Sequence, residues 1–192
     1  VEVLPAPLYD IAPDGQYGLS LNFSRLCWAR PGYGYADAPD LTRDEKVPQR
    51  DGIWRVDIAE RRKQLLLTYE DILSFQPRAD FDEAVHYLNH ISISPDGSRF
   101  FFLHLWIPGG RERNTSHSRA LTVNSDGTAL HLLSDPRRPS HYTWRNHHEL
   151  VVFYVRPDGT GQYMLFSDQS DRREVLWSHL PEVDGHMSFH PL

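Results

Sequence analysis

The sequence predicts an all-β chain built from a repeated four-stranded unit, and three observations predict it. Short runs rich in β-branched and aromatic residues, such as RFFFLHLW and ELVVFYV, recur along the 192 residues and suit a pleated, half-buried surface. Turn chemistry separates them: Pro-Asp-Gly at Pro13, Pro95 and Pro157, and Asp-Gly at Asp126, where proline presets φ and glycine accepts a positive one. The pattern returns every 45 to 50 residues or so, which is roughly the length and content of one β-propeller blade.

The first unit, residues 5–68, reads as LYDI, the Pro13 turn, QYGLSLNF, a long insertion, IWRVDI and QLLLTY. Its insertion, Arg30 to Gly52, carries three glycines and three prolines and reads as a loop of the length that often serves function. Residues 69–87 interrupt the period, with DFDEAVHY as a candidate short helix started by Asp80 or Asp82. The best copy, 88–135, runs HISIS, the Pro95 turn, RFFFLHLW, a loop from Pro108 to Ser118, RALTVNS, the Asp126 hairpin and ALHLLS. The third, 141–178, gives HYTW, the turn RNHH, ELVVFYV, the Pro157 turn, GQYMLFS and EVLWS. Residues 184–192 read as the opening of a further unit. We therefore expect one partial propeller domain over 1–192, with about three blades and the start of another, where a closed ring takes about four to eight. The remaining blades are then missing from this chain, since an open stack leaves exposed sheet edges. An open solenoid or sandwich of short strands is the competing architecture.

Composition narrows the function classes. Apolar residues make up 40% and charged residues 24%, as in soluble globular proteins; no run approaches the ~18 apolar residues of a membrane helix. A net charge of −6 argues against a nucleic-acid surface. The basic runs Arg61 to Lys63 and Arg137 to Arg138 lack interleaved aromatics and read as solvated turns. The single cysteine, Cys27 between Leu26 and Trp28, excludes an intrachain disulfide and reads as a small buried hydrophobe. It leans the compartment toward the cytoplasm, while Val1, which does not read as a native start, leaves an upstream segment open.

Three histidines occupy one register of the repeat. His90 and His186 each stand five residues ahead of a proline, Pro95 and Pro191, and Asn146 fills that slot after His141. The first copy aligns through Pro13 and has Leu8 there. A propeller's first strands line its channel, so these residues should ring the channel mouth, beneath the Arg30 to Gly52 loop. Arg25, Arg30, Tyr33, Tyr35, Asn89 and His104 fall on the same rim, and the turns at Pro13 and Pro95 on the opposite face. Three neutral imidazoles suit a divalent Zn, Mn, Fe or Ni ion with open positions. The same residues suit metal-free acid–base work, and a histidine at a strand start also hydrogen-bonds a neighbouring blade. Asp10 and Asp184 are candidates to orient the rings. His86, His117, His131 and His179 receive no role, and His147, His148 and His190 read as structural or exposed.

The combination NHISISPDG, SHYTW and DGHMSFHP, with repeated PDG turns, resembles the TolB-like propellers and, more closely, those of the oligogalacturonate lyase type found in bacteria. NFSRL, RPGYGY and DGIW resemble a related group of bacterial propellers. The lyase resemblance implies seven blades and a divalent metal, usually manganese, held by channel-mouth histidines and a glutamine. By it His141 and His186 would be ligands and His90 a third or a catalytic base; no residue here takes the glutamine's place. The activity implied is β-elimination on an acidic, uronate-containing oligosaccharide. The metal, Arg25 or Arg30 would neutralise the uronate carboxylate, His90 or His104 would remove the adjacent carbon-bound proton, and Tyr35 would protonate the departing oxygen. Trp106 is a candidate to stack on a sugar, against its more ordinary use in a core. The alternative is a non-catalytic propeller that binds a protein or glycan on the same rim, since this fold hosts both.

Overall fold

The computed structural model describes residues 3–110, 116–134, 138–156, 158–176 and 183–189. Pro157, His179, His190, Pro191 and Arg137, all named above, lie outside them. Within the described residues the chain is all-β, with three four-stranded antiparallel sheets whose strands follow one another in sequence order. The first holds β1 (Asp10–Ile11), β2 (Tyr17–Ser20), β3 (Gly52–Asp57) and β4 (Arg62–Thr68). The second holds β5 (Val85–Ile93), β6 (Arg99–Ile107), β7 (His117–Asn124) and β8 (His131–Ser134). The third holds β9 (Arg138–Asn146), β10 (Glu149–Val155), β11 (Gly161–Ser167) and β12 (Arg173–Leu176). No described helix is long and apolar enough to cross a membrane.

The second sheet lies between the other two, which explains its sequence. Every residue of β6, RFFFLHLWI, is buried, so the strand reads as a continuous apolar run rather than an alternation. On one side the Tyr17 hydroxyl donates to the Gly97 carbonyl at 2.9 Å and Arg55 to that of Ser125 at 3.2 Å. On the other, Arg99 Nε meets Asp168 Oδ2 at 2.5 Å and the Thr122 hydroxyl donates to the same carboxylate.

The first strands of the three sheets are edge strands, and they gather together. Asp10 Oδ2 accepts from the Ile93 amide at 2.8 Å, joining β1 to β5. Trp144 Nε1 donates to the Ser92 carbonyl at 3.1 Å, joining β9 to β5. The Asp10 carboxylate is thereby used on backbone, its other oxygen accepting from the Ile11 amide, and it orients no histidine among the described residues.

Several elements differ from the sequence expectation. NFSRL does not continue β2: Phe23–Ala29 forms a helix, α1, because the Asn22 side chain accepts from the Arg25 amide and caps it. Cys27 therefore sits half-buried on a helix. The strand carrying His90 starts five residues earlier, at Val85, and β9 starts at Arg138, so His90 and His141 lie within strands rather than opening them. A second helix, α2 (Tyr69–Ser74), begins at a reciprocal capping box between Thr68 and Asp71. Asp80 lies inside a single 3-10 turn, Ala79–Phe81, and starts no helix.

Candidate functional site

The site is built on a fault in β5. Pairing with β6 shifts register between Asn89 and Ser92, and His90 within the shift has a φ of 56°, a left-handed conformation unusual for a residue with a Cβ. Tyr9, just ahead of β1, holds this bulge: its oxygen accepts from the His90 amide at 3.2 Å, and its proton goes to Asn89 Oδ1 at 2.9 Å. The His90 ring is met edge-on by Tyr33 of the long loop and Tyr142 of β9, with centroids 6.0 and 5.6 Å away.

His141 and His186 meet directly, ring centroids 4.1 Å apart. Asp184 Oδ1 lies 2.8 Å from His141 Nδ1, so it orients that ring, as the sequence suggested for this aspartate, and leaves Nε2 without a hydrogen-bond partner among the described residues. His90 belongs to the same electrostatic group. Burial first, then the charge of Arg30, then those of His141 and His186 push its pKa down to about 4, against a weaker opposing pull from Asp184. Arg30, at the end of α1, lies over the Tyr33 ring at 4.5 Å, and no carboxylate pairs with it among the described residues. Beside these groups a cleft of about 420 Å³ is lined by Arg30, Tyr87, Ser116, Ser118, Ser140 and Asp184, drawn from the end of α1, the second and third sheets and the 183–189 segment. One guanidinium among hydroxyls is suited to a carboxylate on a polyhydroxylated ligand.

The three aligned histidines are thus brought into one neighbourhood. As placed, no three or more His, Cys, Asp or Glu side chains among the described residues form a group that could hold an ion. His141 and His186 are the pair of donors a divalent ion would find, and water or ligand would have to complete its shell.

The other candidates lie elsewhere. Arg25 is fully buried, donating to the carbonyls of His86, Thr42, Glu45 and Lys46 at 2.6 to 3.1 Å and lying 3.6 Å from Asp40. It fastens the long loop and has no surface at the cleft. His104 is also fully buried and has both ring nitrogens engaged. Arg119 Nε donates to its Nδ1 at 3.1 Å, so its proton sits on Nε2 and goes to His86 Nδ1 at 2.9 Å; His86 Nε2 then donates to the Phe81 carbonyl at 3.1 Å. This one-way chain fixes both neutral tautomers. Burial, then Arg119 and His86, hold His104 well below the ordinary histidine range. Tyr35 lines a different cleft, its ring tilted against that of Phe23 with centroids 4.9 Å apart. Trp106 is core, its indole donating to Asp80 at 3.1 Å. His147 and His148 form the β9–β10 turn and contact each other.

Sequence reasoning missed Tyr9 and Tyr142. A signal was there: LYDI and HYTW place tyrosine one position after the aligned Leu8 and His141, where each ring or hydroxyl reaches β5. No protein-family model matches the chain, and no curated protein matches it either.

Proposed function

We propose that the three sheets are consecutive blades of a β-propeller and that the cleft beside His90 binds and cleaves an acidic oligosaccharide by β-elimination. The observation that carries this is the convergence of Arg30, His90, His141, His186 and Asp184, from four separate segments, into one electrostatic group, of which Arg30 and Asp184 line the hydroxyl-bearing cleft. The gathering of β1, β5 and β9 supports the blade arrangement, since first strands line a propeller's axis.

In the proposed reaction Arg30 binds the uronate carboxylate and draws charge from the neighbouring carbon, acidifying its proton. His90 is the base. It is neutral at pH 7, and a carboxylate seated on Arg30 offsets the positive charge that depresses its pKa, so its basicity rises as substrate binds. The proton moves to His90, the electron pair forms the carbon–carbon double bond, and the bond to the glycosidic oxygen breaks. Water in the cleft protonates the leaving oxygen. A divalent ion bound on His141 and His186 would add positive charge on the same carboxylate. His104, Arg25 and Tyr35 have no part in this scheme; the first two are engaged inside the protein and the third lines another cleft.

The test is incubation with uronate oligosaccharides, with and without added divalent metal, following the ultraviolet absorbance of the unsaturated product. Turnover should appear, and Arg30→Gln should lower kcat/KM by about 10²-fold or more. Binding without product would favour a non-catalytic glycan receptor at the same cleft. Neither binding nor product under any metal condition would overturn the reading.

A further inference from the structure

We infer that the chain carries a second, outer subsite for an acidic sugar, at the opposite end of α1 from the His90 cleft. The inference rests on the acidic-oligosaccharide reading above and adds where the rest of the chain of sugars lies. A cleft of about 400 Å³ opens beside the first turn of α1, lined among others by Phe23, Tyr35, Arg50, Trp54 and Lys63. Its chemistry is separate from that of the inner cleft, and four observations bear on what it takes.

Two cations border it. Arg50 and Lys63 are exposed, and neither has a carboxylate partner among the described residues. The Lys63 ammonium is seated over the Trp54 ring, 4.7 Å from its centroid, which fixes its position on the rim. The aromatic walls are themselves held: Trp54 Nε1 donates to Asp51 Oδ1 at 3.1 Å, and the Tyr35 ring packs at a tilt against Phe23. An exposed aromatic ring with cations close by suits a sugar face that carries an acid.

The floor's carboxylate oxygens face inward. Its nearby carboxylates are turned to internal donors: Asn22 Nδ2 donates to Asp40 Oδ1 at 2.9 Å and Asp51 Oδ2 at 2.8 Å. Asp40 also accepts from the Trp28 indole at 2.7 Å and from Thr42, and it lies beside Arg25.

The two clefts share one element. The outer cleft is lined by Asn22, Phe23 and Ser24 at the start of α1, and the inner by Ala29, Arg30 and Pro31 at its end. Seven helical residues rise about 10 Å, the reach of a short oligosaccharide. Tyr35 lines the outer cleft against Phe23, and Tyr33, two residues earlier, lies against the His90 ring. A ligand laid across α1 would put one carboxylate on Arg30 and another on Arg50 and Lys63.

The experiment is calorimetric titration with uronate monomer, dimer and tetramer against the wild-type protein and the double variant Arg50→Gln/Lys63→Gln. Both changes are on exposed side chains, and far-ultraviolet circular dichroism confirms the fold. The tetramer should bind wild type at least tenfold more tightly than the dimer, and the double variant should lose that gain. Lys63→Arg, which keeps the charge, should retain it. Length-independent affinity, or an unaltered gain in the double variant, overturns the outer subsite and leaves the inner one standing. Failure of every uronate to bind overturns both.

Discussion

His90 shows how one backbone choice decides what a side chain can do. In regular pairing its ring would follow the alternation of β5; the left-handed residue and register shift re-aim it. Left-handed backbone at such a residue costs on the order of 1–3 kcal/mol, and the Tyr9 hydroxyl offsets part of that by accepting from the strained amide. The setting then fixes the charge state. With burial and Arg30 both disfavouring the imidazolium, His90 should titrate at about 4 in the free protein. Removing the Arg30 charge lifts one of those causes, so Arg30→Gln should shift the His90 titration upward, and so should a bound uronate. Nuclear magnetic resonance of the histidine ring protons checks both. A titration that stays at the same pH in Arg30→Gln would show that Arg30 does not act on this ring.

Among the elements, α1 and the loop segment behind it set the geometry of both clefts, and Gly34 is the residue that lets them meet. Gly34 has a φ of 73°, and a Cβ there would fall 2.1 Å from the Phe23 carbonyl oxygen and 2.9 Å from the Cys27 nitrogen. The segment lies flat on the helix, with the Tyr35 amide donating to that same carbonyl at 3.2 Å. Gly34→Ala should therefore cost about 2 kcal/mol or more, read as a lowered denaturant midpoint, and should displace Tyr33 and Tyr35 together. Unchanged stability and unchanged sugar binding would sink this account. RPGYGY was legible as a loop over the site, but α1 was not. YGLSLNFSRL reads as a strand running past Ser20 because its apolar spacing suits either period, and only the Asn22 cap, itself held by Asp40 and Asp51 from distant parts of the loop, decides for helix. The period and its turns made the twelve strands readable, as ELVVFYV and GQYMLFS coincide with β10 and β11. The histidine register likewise put His90, His141 and His186 near one another. Arg25 and His104 were misplaced on the rim because a sequence gives strand position without showing which polar side chains are consumed by buried carbonyls.

Across the whole molecule, buried polar groups join elements that local sequence leaves independent, and their protonation ties stability to pH. Arg99 and Thr122 of the second sheet share Asp168 of the third, while the chain Arg119, His104, His86, Phe81 carbonyl ties β7, β6 and β5 to the segment after α2. Arg119 also donates to the carbonyls of Ile72, Phe75 and Gln76 at 2.6 to 3.1 Å. Protonating either histidine would put two donors face to face in that chain, with Arg119 and Arg25 nearby. Burial, then the charges of Arg25 and Arg119 against the pull of the Phe81 carbonyl, bring His86 to about 4; His90 stands at about 4 and His104 lower still. In the unfolded chain each would titrate near the usual ~6.5. The unfolded state therefore binds more protons below that pH. The stability these groups contribute is complete above about pH 6.5 and is lost as pH falls toward 4, at up to ~1.4 kcal/mol per pH unit for each group. Asp80 enters only afterwards: burial raises its pKa, but bonds from Arg78, His117 and Trp106 outweigh that and hold it at about 2, so its contribution is lost below the ordinary carboxylate range. Urea titrations from pH 7.5 to 4 should show stability falling with the slope of two to three protons, and His90→Asn should reduce that slope by one. A flat profile across this range would mean that the three imidazoles are already charged in the folded state, and the one-way hydrogen-bond chain would have to be abandoned.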